Sequence, residues 1–375
     1  MATQVKSKQV RSSSFDFATR IQLQWVSVNA ITGKIIAELP YLEVSTIERR
    51  LSNYSSATAE LPWDDAPSNW RLATEPMAAV LILLWNGSPL WGGYVQGRVR
   101  DLSAATISLS LVTWEGYFDR VLVSTESYKG IPQTDIAVSL INKYGCRRNP
   151  TQVIAHTQSS TPKRDRTYDD KDDKTLLSAL QDLQGIENGI EFRITWHTTD
   201  SVMYYPIVEV RDAYVDKTVA VSFNTESFTA FSVEDKYDSS TGANRIRATS
   251  SADGDKRPQS AWVEAYQNTY PVVEESFTPS TSIKNTDVLL SHAKKELAER
   301  GNGAHYVTFA LDLLTSPQYG ELWLEGDTIG WILDEKASQR MPEYKTGKAK
   351  CIGWTMNLTS TPTIHPVLDG DGLVG

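Results

Sequence analysis

The residues of this chain that could do chemistry are five histidines, two cysteines and three acidic clusters. His156, His197, His292, His305 and His365 show no metal-ligand spacing, and no His-Glu-x-x-His occurs, so they read as surface or structural residues. Cys146 and Cys351 are too few and too far apart for a disulfide framework or a zinc site; they read as reduced thiols. No Gly-x-x-x-x-Gly-Lys phosphate loop and no Gly-x-Ser-x-Gly nucleophile elbow is present. Asp169-Asp170-Lys171-Asp172-Asp173 offers several carboxylates but lacks the glycine and distal glutamate of a calcium loop. It fits better as a solvated run before a helix, whose N-terminus favours negative charge. Asp369-Gly370-Asp371-Gly372 reads the same way. Trp63-Asp64-Asp65, with Trp70 close behind, has the parts of a sugar platform with paired carboxylates, as in a glycosidase, and equally those of an interface loop with tryptophan as anchor. The interface loop is the better fit. No catalytic, cofactor-binding or metal-binding residue is assigned, no cofactor is expected, and the chain reads as a non-enzyme.

With 375 residues the chain is long enough for two or three cores. The 11 Trp, 16 Tyr and 9 Phe favour strands and interfaces. A formal charge of −9 argues against a protein that grips nucleic acid, because that affinity comes from cations neutralising phosphates. The longest apolar run, Met77-Ala78-Ala79-Val80-Leu81-Ile82-Leu83-Leu84-Trp85, falls far short of the ~20 residues of a membrane helix and reads as a buried strand. Membrane insertion is not expected. The basic, polar start lacks the apolar stretch of a secretion signal, which predicts a protein made and kept in a cytoplasm or released by lysis.

The order of elements predicts a mainly β chain with an α+β part. Residues 1–16 read as a polar arm, for which a neighbouring subunit is one candidate support. Residues 17–125 carry closely spaced strands at 20–28, 35–39, 41–47, 55–61, 77–85, 90–95 and 106–114, with Asn86-Gly87 as the strongest hairpin signal; they predict a first β-barrel. Residues 126–216 predict an α+β unit, with helices opening at Pro132-Gln133-Thr134-Asp135 and Lys174, a polar loop over 147–173, and a hairpin of 190–196 with 205–210. Residues 217–375 predict a second β-barrel with a helical insertion near 265–303 and a polar break at 235–243.

Residues 286–334 write a helix, a strand, a loop and a second strand. Thr286-Asp287 can cap the helix, Leu290, Ala293 and Leu297 share one face, and Gly301 ends it. Strand 305–311 follows, then Leu322-Trp323-Leu324-Glu325-Gly326-Asp327-Thr328-Ile329. Three stretches together resemble the phage tail-hub family, the minor tail and baseplate-hub proteins of long-tailed phages. They are the Asn86-Gly87 hairpin leading into Leu90-Trp91-Gly92-Gly93-Tyr94-Val95, the helices from Thr134 and Lys174 with Ile190 to Trp196 after them, and the helix-strand-Glu325-Gly326-Asp327-Thr328-Ile329 segment. The last is similar to the return into the second hub barrel.

That resemblance implies a homotrimer whose two barrels per chain form a pseudo-sixfold ring at the tail tip, assembled in the host cytoplasm. Its partners would be the chain itself, a distal tail or tail-tube ring, and a tip fibre, spike or tape-measure protein, with DNA passing through without specific binding. No appended lytic domain is expected, and with it no cell-wall-cutting role. The alternative is a carbohydrate- or receptor-binding tail protein, possibly a glycosidase.

Overall fold

The computed structural model describes residues 23–369 apart from 157–161, 200–201, 213–218, 225–230, 241, 252–256, 266–270, 280–282, 302, 314–322, 341, 343–344 and 360–361. The expected arm over 1–16 therefore lies outside the described residues, as do Gly370, Asp371 and Gly372.

The chain opens with β1 (Leu23–Asn29), β2 (Ile35–Glu38), β3 (Thr46–Arg50), β4 (Ser56–Pro62), α1 (Trp70–Ala73), β5 (Ala79–Trp85), β6 (Ser88–Asp101), β7 (Thr106–Thr113) and α2 (Glu115–Phe118). Six of these strands pair in the order β2-β1-β5-β6-β7-β4. The Asn86-Gly87 signal is a real hairpin turn: both residues have positive φ, 51° and 86°, as the twist of flanking strands requires. All seven residues of β5 are buried. Leu81, Leu83 and Trp85 face one core while Val80, Ile82 and Leu84 face another, which is why the run is continuously apolar rather than alternating.

The second face of this sheet is covered by the middle of the chain: β8 (Glu126–Pro132), α3 (Gln133–Leu140), β9 (Gln152–His156), β10 (Lys163–Tyr168), α4 (Leu176–Gln184), β11 (Ile190–Thr199) and β12 (Met203–Asp212). The Thr175 hydroxyl caps α4 by accepting from Ser178 N, and Leu176, Leu177, Leu180 and Leu183 are its buried stripe, as the periodicity predicts. The stretch expected as a polar loop over 147–173 instead contains β9, parallel to β12, and β10, antiparallel to β8. Both lie at sheet edges, and β9 is only five residues long while β10 is charged on both faces, which hides them from a hydrophobic pattern.

The last part contains β13 (Val219–Asn224), β14 (Phe231–Asp238), β15 (Arg245–Ala248), β16 (Val263–Glu264), β17 (Glu274–Phe277), α5 (Thr286–Arg300), β18 (Ala304–Asp312), β19 (Thr328–Ile332), α6 (Glu335–Arg340), β20 (Thr346–Asn357) and β21 (Thr363–Asp369). Its main sheet runs β13-β19-β20-β21-β18-β14. Part of the expected polar break at 235–243 is strand β14. The excursion β15–β17 forms its own three-stranded sheet beneath α5, around Ile246, Ala248, Leu289 and Ala293. Two details of α5 differ from the pattern. Asn285, not Thr286, caps it through Oδ1 accepting from Asp287 N at 2.8 Å, and its buried face is Leu289, His292 and Ala293. Ala293 and Leu297 pack on the β15–β17 core as expected, while Leu289 takes the place expected of Leu290.

The mainly β expectation holds, while neither large sheet closes into a barrel among the described residues. The expected strand over 41–47 is displaced to β3, and β3 leaves the first sheet to pair antiparallel with β20, Ile47 opposite Met356 and Arg49 opposite Trp354. One core accordingly runs from Trp25, Leu83 and Trp91 through Ile47 to Phe223, Trp331 and Trp354.

Candidate functional site: a buried charge junction

Strand β3 alternates inward at Ile47 and Arg49, and Arg49 occupies a position that the pattern reserves for an apolar residue. It is 3% exposed. Its Nη2 donates to Glu115 Oε1 at 3.2 Å and to Glu325 Oε1 at 2.8 Å, and also to the carbonyl of Ile194. Glu115, at the start of α2, is 1% exposed, and Glu325 is fully buried. The other Glu325 oxygen, Oε2, accepts from Trp354 Nε1 at 3.3 Å. Burial raises the Glu115 carboxyl above its ordinary range; Arg49 opposes this and Glu325 adds to it.

A second tier lies beside the first. Arg193 of β11 pairs through Nε with Glu209 of β12 at 2.6 Å, and its Nη1 donates to the Glu325 carbonyl at 2.8 Å and to Asp327 Oδ1 at 3.2 Å. Arg211 of β12 lies 3.6 Å from Asp327 and 3.7 Å from Glu191, and Lys350 of β20 contacts Glu191. The turn at the centre needs its glycine. Gly326 has φ +89°, and a Cβ there would lie 1.9 Å from Arg211 Nη2. Gly326 N donates to the Cys351 carbonyl, and Cys351 N donates to the Asp327 carbonyl at 2.9 Å, which stitches the turn onto β20.

The junction thus joins the first sheet's chain (Arg49, Glu115), the middle unit (Arg193, Arg211, Glu191, Glu209) and the second sheet (Glu325, Asp327, Lys350). These charges are directed at one another inside the protein, an arrangement that fixes three parts of one chain. Breaking such a buried pair by removing one partner costs about 3–5 kcal/mol. The sequence reading singled out Glu325-Gly326-Asp327 as a return into a sheet and missed its partners. The available signal was a charge on an inward strand position, at Arg49 two residues after Ile47.

The residues with chemical potential are scattered. His197 hydrogen-bonds Thr195 at 3.0 Å, His365 sits 2.8 Å from Thr363, His292 is buried in α5, and His156 and His305 lie on β9 and β18. Among the described residues no group of three His, Cys, Asp or Glu side chains could hold a metal. Cys351 is buried and Cys146 half-buried, both free. Lys171 and Asp169 pair on the surface at 3.7 Å. Asp64 and Asp65 are successive exposed residues of one 3-10 turn. Trp63 and Trp70 lie 5.3 Å apart, and Arg71, Arg98 and Arg100 crowd Trp70 at 4.8, 5.3 and 5.9 Å from its ring centroid. Gly370, Gly372 and Gly375 have Gly-x-Gly-x-x-Gly spacing but lie outside the described residues. No helix among the described residues is long and apolar enough to cross a membrane.

No family model and no curated protein matches this chain. Solved structures do. A tail protein from Neisseria meningitidis MC58 superposes with TM-score 0.58 at 14% identity, over 93% of this chain and 97% of the other. The 43 kDa tail protein of prophage MuSo2 from Shewanella oneidensis gives 0.57 at 12% identity, over 93% and 98%. The chain has the fold of these tail proteins across nearly its whole length.

Proposed function

We propose that this protein is a structural, non-catalytic component of a phage tail, located in the virion, and that it serves there as the hub at the tail tip. The observation that carries the reading is the fold likeness to the two tail proteins over 93% of this chain and 97–98% of theirs. The junction supports it. Two large sheets in one chain are tied through β3 and Arg49, so each copy presents them in a fixed relation. Three copies in a ring would then offer six sheets, which suits a sixfold tube on one face and a threefold fibre, spike or tape-measure protein on the other. Three copies at −9 each carry a formal charge of −27, and a wall of that sign would let DNA pass without the counterion release that makes basic channels grip it.

Sedimentation analysis of the protein alone and with the tube protein of its tail, followed by imaging of the assembled tail, tests this. A threefold ring at the tail tip is expected. A chain absent from tails, or present outside the tip, overturns the hub role, and a strongly basic lumen overturns the charge argument.

A further inference from the structure

Leu102, Met77 and Leu72 are 83, 72 and 65% exposed, three of the four most exposed large hydrophobic residues among those described; the fourth, Val99, alternates to the other face of its strand and takes no part. The three come from two segments that are tied together. Arg98 Nη1 donates to the Arg71 carbonyl at 2.8 Å and to Thr74 Oγ1 at 3.0 Å, Arg98 Nη2 pairs with Glu75 at 3.0 Å, and Met77 N donates to the Val95 carbonyl at 2.8 Å. Met77 is held at φ +65°, a conformation that costs a non-glycine residue of order 1–3 kcal/mol and persists only where the surroundings enforce it.

The charges at this end of the first sheet are unequal in their freedom. Glu75 neutralises Arg98, and Asp101 Oδ1 accepts from Ser103 N and Ala104 N within its own turn. Arg71 and Arg100 are exposed, lie over Trp70, and pair with no carboxylate among the described residues. Tryptophan, arginine and methionine backed by a rigid hairpin is the composition of interface anchors, on a chain that is otherwise acidic.

The geometry points to the 70–77 and 98–102 segments as a docking surface for an acidic segment, edged with apolar side chains, of a different protein of the same tail. The inference rests on the tail reading above. Two exposed cations without a carboxylate partner call for carboxylates, and the three exposed apolar side chains of these segments call for apolar ones. DNA would answer the first and leave the second in water, so the surface fits a protein.

The test places the photo-crosslinker benzoylphenylalanine at Leu102 in the full chain, with Val202 as an exposed control position away from the patch, and irradiates assembled tails. Crosslinking from position 102, and not 202, to a carboxylate-bearing segment of another tail protein is expected. Arg71→Glu with Arg100→Glu should cut the yield at least tenfold, and Arg71→Lys with Arg100→Lys should retain it. No crosslink from a chain present in tails overturns the proposal while leaving the tail reading intact. So does a crosslink to DNA, to a second copy or to a segment without carboxylates, or an unchanged yield in the reversed variant. A chain absent from tails overturns both.

Discussion

Arg49 and Glu325 meet at 2.8 Å across 276 positions of sequence, both buried, one on a strand that left the first sheet and the other on a turn entering the second. Their contact adds to the β3–β20 pairing and the shared core in tying the two sheets together. It also means that neither sheet's chain can shift without exposing or stranding a charge.

Arg49→Met should destabilise the protein by about 3–5 kcal/mol, because two buried carboxylates lose their cation. Adding Glu115→Gln and Glu325→Gln to that variant should recover part of the loss. Denaturant unfolding of the single and triple variants measures both, and a triple variant no more stable than the single would contradict the junction's electrostatic origin.

Gly326→Ala and Gly87→Ala both place a side chain at positive φ, yet they should differ. At Gly87 nothing lies within 4 Å of the added Cβ, so only the backbone strain of about 1 kcal/mol applies. At Gly326 the Cβ also meets the end of the Arg211 side chain, Nη2 at 1.9 Å, and a loss larger than at Gly87 is expected because Arg211 must move off Asp327 and Glu191. Equal melting temperatures for the two variants would refute this.

His292 sets an acid-side dependence. Burial pushes its imidazole down from 6.5 to about 4; Arg166 and Lys295 reinforce this, while Asp182 and a hydrogen bond with Gly185 oppose it. The unfolded chain therefore binds a proton between these values that the folded chain refuses, so stability falls as pH drops from 6.5 and levels off below about 4. The contribution is of order 3 kcal/mol at full extent. Glu115, whose carboxyl burial raises, has the opposite slope, present equally in wild type and His292→Gln. The difference between those two proteins, followed by denaturant unfolding from pH 7 to 4.5, should shrink steadily; a constant difference rules the assignment out.

Asn285→Ala should cost about 1 kcal/mol and Thr286→Ala much less, since the Asn285 side chain is the cap of α5. Hydrogen exchange along the first turn of α5 reads this locally, and greater fraying in Thr286→Ala than in Asn285→Ala would reverse the assignment.

Much of the fold was legible because its signals are local. The Asn86-Gly87 turn, the leucine stripe of α4 and the apolar run of β5 each follow from periodicity and turn chemistry within a dozen residues. Strands β9, β10 and β14 were not legible, because edge strands carry polar residues that read as loops. On α5 the pattern placed Ala293 and Leu297 correctly and took Leu290 for Leu289, because its partner, the β15–β17 sheet, is assembled from distant segments.

By itself the sequence determined that this chain is mainly β, which turns connect its strands, and that its histidines and cysteines lack the spacing of a catalytic or metal motif; those properties depend on neighbours along the chain. Only the tertiary structure decided that β3 belongs to the second sheet and that Arg49, Glu115, Arg193 and Glu325 form one junction. Strand pairing and ion pairing across hundreds of residues depend on which surfaces bury together, and no local pattern encodes that choice.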